Sequence, residues 1–176
     1  MDQSSKLFLV ILLLLWWAVI GFSGYFNVTN TTTTSEYNVS NSTFQMSDWW
    51  DVIKRTNDSI TFDNRNGMSY ATRGGKVITL NLTQYTDIST FESKYQGSKH
   101  LSGNYIVSTE NKSIGGIQVR FINNTDTKSN ETVQDYYFRK NGKYYSIHIV
   151  GKNGVVNELH SYSIKLTVES IINSLQ

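Results

Sequence analysis

The run QDYYFRKNGKYYSIHIV, Gln134 to Val150, encodes two strands and the turn between them. Asn141-Gly142 lies between two segments of alternating polar and apolar residues. That dipeptide marks a type I′ hairpin, because both central residues must take positive φ. A two-residue turn fixes the register. Lys140 then faces Lys143, Phe138 faces Tyr145 and Tyr136 faces Ile147, and the last two pairs join Ile149 on a core face. The opposite face carries Arg139 across from Tyr144, Tyr137 across from Ser146, and Asp135 across from His148.

The same period of two recurs on both sides of this hairpin. In Val77 to Gln84, Ile78, Leu80 and Leu82 share one face, and Thr79, Asn81 and Thr83 the other. Ile117, Val119 and Phe121 alternate with Gln118 and Arg120. Ser59–Asp63 and Tyr105–Thr109 read as further strands, and Thr43–Met46 as one that opens the sheet. Asn66-Gly67, Gly74-Gly75 and Gly115-Gly116 read as turns. Ser47–Asp51 fits either a loop or a helical turn.

Two segments change to helical spacing. Asp87 or Ser89 can cap a short helix that places Ile88, Phe91 and Tyr95 on one side, and Ser89 to Glu92 fits a capping box. Ser163 to Leu175 places Ile164, Val168, Ile171, Ile172 and Leu175 on one stripe. Each helix has one apolar face to bury, so the expected class is α+β: a twisted antiparallel sheet with flanking helices.

The N-terminal quarter is of another kind. Leu7 to Phe26 has no charged residue, and about 20 apolar residues suffice for a helix to cross a bilayer. Its length favours an uncleaved signal anchor, with residues 1–6 in the cytoplasm. A secretory leader cut near Ser23 is the alternative. Both put the remainder outside the cytoplasm. Residues 27–41 are Asn/Thr-rich and read as a stalk, and residues 42–176 as one extracytoplasmic domain. Asn27, Asn30, Asn38, Asn41, Asn57, Asn81, Asn111, Asn123 and Asn130 each head an Asn-x-Ser/Thr acceptor triplet for N-glycans. Asn81 falls on the outward face of its strand, where a sugar would have room.

Composition removes several functions. The net charge is +2 with the two signs mixed, which gives no nucleic-acid footprint. There is no Cys, and so no disulfide frame, thiolate metal site or cysteine nucleophile. A small surface glycoprotein of a virus or mobile element would fit the triplets, but the missing disulfides speak against it. His100, His148 and His160 show no zinc spacing. Arg73 to Lys76 lacks the spacing of a phosphate loop. Asn123 to Glu131 lacks the central Gly of an EF-hand and reads as an exposed loop. No cofactor or metal is expected.

Two constellations remain. Asp135 beside His148, with Ser146 on the same face, has the elements of an orienter, a base and a nucleophile. Cross-strand polar pairs of this kind also decorate sheet faces without any chemistry. Tyr137, Arg139 and Tyr144 form an aromatic and basic patch suited to docking a partner, provided no helix covers it.

The succession ITLNLTQYTDISTFESKY, YIVSTENKSIGGIQVRFI, YYFRKNGKYYSIHIV and a closing IINSL resembles small exported domains of methanogenic archaea with a PsbP-like fold. The resemblance spans residues 42–176. It implies a twisted antiparallel sheet with flanking helices behind a membrane segment, and a non-enzymatic accessory or binding role. It carries over no catalytic residue. The expected function is a membrane-anchored, extracytoplasmic binding or accessory domain, with an envelope polymer or a membrane protein as partner. An exported hydrolase built on Asp135 and His148 is the alternative.

Overall fold

A computed structural model describes residues 33–64, 78–97, 105–129, 131–151 and 158–176. Leu7–Phe26, the triplets at Asn27, Asn30 and Asn130, the turns at Asn66-Gly67 and Gly74-Gly75, and His100 lie outside these residues. Among the described residues no helix is long and apolar enough to cross a membrane.

The folded unit runs from Thr34 to Gln176. Its strands are β1 (Thr34–Val39), β2 (Ser42–Ser47), β3 (Asp51–Arg55), β4 (Ser59–Asp63), β5 (Ile78–Tyr85), β6 (Tyr105–Ile114), β7 (Ile117–Asp126), β8 (Thr132–Lys140) and β9 (Lys143–Gly151). Among the described residues two helices accompany them, α1 (Ile88–Gly97) and α2 (Glu158–Ser174). Seven strands form an antiparallel sheet in the order β3-β4-β5-β9-β8-β7-β6, and β1 and β2 pair as a separate ribbon.

The hairpin β8–β9 lies at the middle of the sheet, in the register that its turn dictates. All six expected pairs form, from Asp135–His148 to Lys140–Lys143. Asn141 (φ 53°) and Gly142 (φ 76°) supply the positive φ values, and Gly115 and Gly116 do the same between β6 and β7. The facing lysines of the β8–β9 turn diverge. Lys140 Nζ donates to the carbonyls of Ile172 (2.7 Å) and Asn173 (2.9 Å), capping the negative end of α2. Lys143 Nζ donates to the carbonyl of Asn41 (2.9 Å) and to Ser42 Oγ (2.8 Å), pinning the β1–β2 turn.

The inner face of the sheet holds the core. Ile60, Phe62, Leu80, Leu82, Tyr145, Ile147, Phe138 and Val119 are buried there with Ile164, Val168, Ile171, Ile172 and Leu175 of the C-terminal segment. Those last five are the stripe read from spacing. The β1–β2 ribbon adds Val39, Phe44 and Met46 to the same core.

Two expectations change. Residues 34–41 are not stalk: β1 pairs along its full length with β2, and Tyr37 packs edge-on to Phe62 at 5.0 Å. Two apolar side chains, Tyr37 and Val39, anchor a segment whose composition looks too polar to fold. Thr43–Met46 does not open the main sheet, since β2 pairs with β1 and rests on the core. Of the two readings of Ser47–Asp51 the looped one holds: Asp48, Trp49 and Trp50 turn the chain from the end of β2 into β3. β3 is an edge strand without a sequence signal, because Val52 and Ile53 are exposed and its pairing with β4 is broken by a bulge between Val52 and Lys54. Within that turn Trp50 is buried and Trp49 is 55% exposed.

Candidate functional site: a groove under the short helix

Register places two polar rows side by side on the outer sheet face. One runs Ile122, Asp135, His148, Asn81, Thr61, and the next runs Arg120, Tyr137, Ser146, Thr83, Ser59. The first contains the expected contact. Asp135 Oδ1 meets His148 Nδ1 at 2.6 Å, with the carboxylate side chain 10% and the imidazole 46% exposed. Ser146 does not join this pair as a nucleophile. Ser146 is buried and its hydroxyl bonds to Tyr85 Oη at 2.9 Å, not to the imidazole. Burial of Tyr85, opposed by that hydrogen bond and aided by the charge of Asp135, holds its phenol pKa above the ordinary value. Tyr85 therefore remains a neutral partner to Ser146 and does not act as its base.

Asn81 lies in the same row, half-buried. Its Nδ2, the atom an N-glycan would occupy, donates to Thr61 Oγ1 at 2.7 Å, while Thr83 donates to its Oδ1 at 2.8 Å. The expectation of free outward space is corrected: β4 and β9 flank the side chain, and its amide is used between strands. Asn123 is half-buried also. Asn38, Asn41, Asn57 and Asn111 are exposed, although Asn41 Oδ1 accepts from Gln84 Nε2 at 2.8 Å.

The aromatic patch is covered in part. Helix α1 lies over it, so Tyr137 is only 7% exposed and is no open docking residue. Phe91 is the centre of the packing, with ring centroids 5.5 Å from Tyr85, 5.8 Å from Tyr137 and 5.1 Å from Tyr144. Tyr95 meets Tyr137 at 5.7 Å. The fate of Tyr137 follows from Phe91 and Tyr95, which sequence spacing put on one helix face without showing which sheet face they would cover.

What stays open is a groove of about 450 Å³ beside the helix. Phe91, Glu92 and Tyr95 form one wall, and Asn111, Gln118, Arg120, Arg139 and Tyr144 face them from four strands. The Arg120 guanidinium stacks 4.1 Å from the Tyr95 ring, and Arg139 lies 5.5 Å from Tyr144. Tyr144 and Arg139 were marked by their shared outward face. Arg120, Phe91 and Tyr95 were not joined to them, because neither strand order nor helix docking is written in local periodicity. Among the described residues no cluster of His, Asp or Glu is arranged to hold a metal.

The helix that walls the groove depends on one cap. Asp87 accepts from the backbone N–H groups of Ser89 (3.2 Å) and Thr90 (3.0 Å) and from both of their hydroxyls, so Asp87, not Ser89, is the N-cap. These bonds, led by the one from the Ser89 hydroxyl, pull its carboxyl pKa from 3.8 down to about 2. A depressed folded-state value adds stability that is complete above the unfolded value and is lost as pH falls through the folded one. Docking of α1 should therefore weaken between about pH 4 and pH 2. In Asp87→Asn that part of the acid transition should flatten, as followed by near-ultraviolet circular dichroism of the tyrosines. An unchanged profile would remove Asp87 from control of the helix.

No protein-family model matches the chain, nor does any curated protein sequence. Solved structures do match. The Ran-binding protein Mog1p of Saccharomyces cerevisiae superposes with TM-score 0.53 at 7% identity, over 83% of this chain and 96% of that one. Cyanobacterial PsbP (CyanoP) from Synechocystis sp. PCC 6803 is similar at TM-score 0.43 and 8% identity, over 84% and 94% of the two chains. LpqN of Mycobacterium tuberculosis, described as involved in cell envelope biogenesis, gives 0.42 and 10%, over 82% and 90%. At these identities likeness speaks to fold alone. The chain shares the α+β fold of Mog1p, and the antiparallel sheet with two helices expected from the sequence is the one observed.

Proposed function

We propose that the chain is a membrane-anchored, extracytoplasmic binding or accessory domain that works without catalysis, through the groove between α1 and the outer sheet face. The observation that carries the reading is the contrast between two neighbouring sites. The groove offers aromatic walls and two guanidinium groups to a ligand. The Asp135–His148 pair has the geometry of an orienter and a base, but Ser146, the hydroxyl on the same strand face, is buried and bonded to Tyr85. Mog1p, whose fold the chain shares, is itself described as a Ran-binding protein, which is a binding role. The apolar block Leu7–Phe26 and the acceptor triplets support the anchored and outward-facing parts of the proposal.

The alternative of an exported hydrolase keeps one supporting observation, the 2.6 Å Asp135–His148 contact. One pair of variants separates the two readings. Full-length protein should retain an envelope or membrane component in pull-down, and Tyr144→Ser should reduce that recovery. His148→Ala should leave recovery unchanged. Hydrolysis of ester or glycoside substrates that is present in the parent and lost in His148→Ala would favour the enzyme.

A further inference from the structure

We infer that the groove takes the carboxylate-bearing ring of an acidic polysaccharide. This assigns a ligand class to the site proposed above and rests on that proposal. The first observation is register. Arg120 sits across from Tyr137 on β8, and Arg139 follows two residues later on the same face. The arginines are thus diagonal neighbours, with backbones about 7–8 Å apart. Like charges at that spacing repel, and each guanidinium is held by a ring, Tyr95 or Tyr144, instead of an acid. The Nε of Arg120 is buried and has no hydrogen-bond partner among the described residues, so the open side of this guanidinium is its terminal nitrogens.

The surrounding charges are accounted for. Asp135 is paired with His148, and Glu110 with Lys112. Glu92, on α1, is the carboxylate that lines the groove. A carboxylate seated between Arg120 and Arg139 would offset the repulsion, because a guanidinium fork matches carboxylate geometry. Glu92 then discriminates among anions. It repels phosphate, with close to two charges, more than a singly charged carboxylate, and it accepts hydrogen bonds from ring hydroxyls. Asn111 and Gln118 add amides suited to the same hydroxyls, and the rings of Phe91, Tyr95 and Tyr144 provide faces for sugar C–H groups. The volume of about 450 Å³ lies within the range of about 300–1,000 Å³ usual for small-ligand sites.

Asn111 heads an acceptor triplet at the rim, so the test uses full-length chain carrying Ser113→Ala, which abolishes the triplet and keeps the Asn111 side chain. The micelle-held protein is titrated by calorimetry with trigalacturonate, maltotriose and inorganic phosphate. Trigalacturonate should bind at least tenfold more tightly than either of the others, and more weakly as salt rises. Arg120→Gln with Arg139→Gln should erase that preference; if the pair disturbs folding, exposed Arg139→Gln alone should reduce it. Equal binding of both trisaccharides would overturn the charge assignment and leave the binding reading standing. Equal binding of phosphate and trigalacturonate would make this a simple anion site and sink the sugar assignment. No sugar binding, with Tyr144-dependent recovery of a membrane component, would show a partner of another class. Failure of both experiments would remove the groove as a binding site.

Discussion

Tyr145→Ala should cost about 3–5 kcal/mol, the range for removing a buried aromatic side chain, a large part of the ~5–15 kcal/mol that holds a typical domain together. The side chain is 1% exposed, on the central strand β9, and stacks on Phe138 with centroids 5.4 Å apart. Its hydroxyl bonds to Ser42 Oγ at 2.7 Å, joining the β1–β2 ribbon to the sheet. Burial raises its pKa, so the phenol stays neutral well above physiological pH. Tyr145→Phe keeps the ring and loses that bond, so it should cost about 1 kcal/mol. Urea denaturation of both variants checks the order. A Phe variant as unstable as Ala would mean that the ribbon's tie, and not the packing, dominates.

The second large effect belongs to Phe91→Ala. Phe91 is half-buried and touches Tyr85, Tyr95, Tyr137 and Tyr144, so its loss removes the centre of the outer cluster. The expected cost is about 2–3 kcal/mol, below the figure for a fully buried Phe. The functional effect should be larger than the stability change suggests, because Phe91, Glu92 and Tyr95 form one whole wall of the groove. Groove-dependent binding should fall at least tenfold. The inner-face core should persist, since it is closed by α2 and the ribbon, with no side chain from α1. Hydrogen exchange would show this as faster exchange across residues 88–97 with unchanged protection in β8 and β9. Loss of protection throughout would mean that α1 is integral to the core.

How far the sequence carried this account depended on the range of each interaction. The β8–β9 hairpin was legible to the residue, because a two-residue turn with positive φ at Asn141 and Gly142 permits one register. The α2 stripe was legible because five apolar positions at helical spacing have one face to bury. Strand β1 was not: Ser, Glu, Asn and Thr dominate it, and its stability comes from contacts with Phe44 and Phe62, both distant from local pattern. Edge strand β3 was hidden for the opposite reason, since Trp49, Val52 and Ile53 are exposed and show no burial period. The site was half legible. Asp135 and His148 met because they share a hairpin. Arg120 came to the groove through the pairing of β7 with β8, and Tyr95 through the docking of α1, and both are tertiary choices.

The most direct test of the central claim is hydrogen exchange on the full-length protein, with and without the envelope or membrane component it retains. A binding domain working through the α1 groove should show added protection in residues 88–97 and 111–120 and around the β8–β9 turn, with β1–β3 unaffected. Added protection confined to the edge that carries Trp49, Val52 and Ile53, with the groove unchanged, would contradict it.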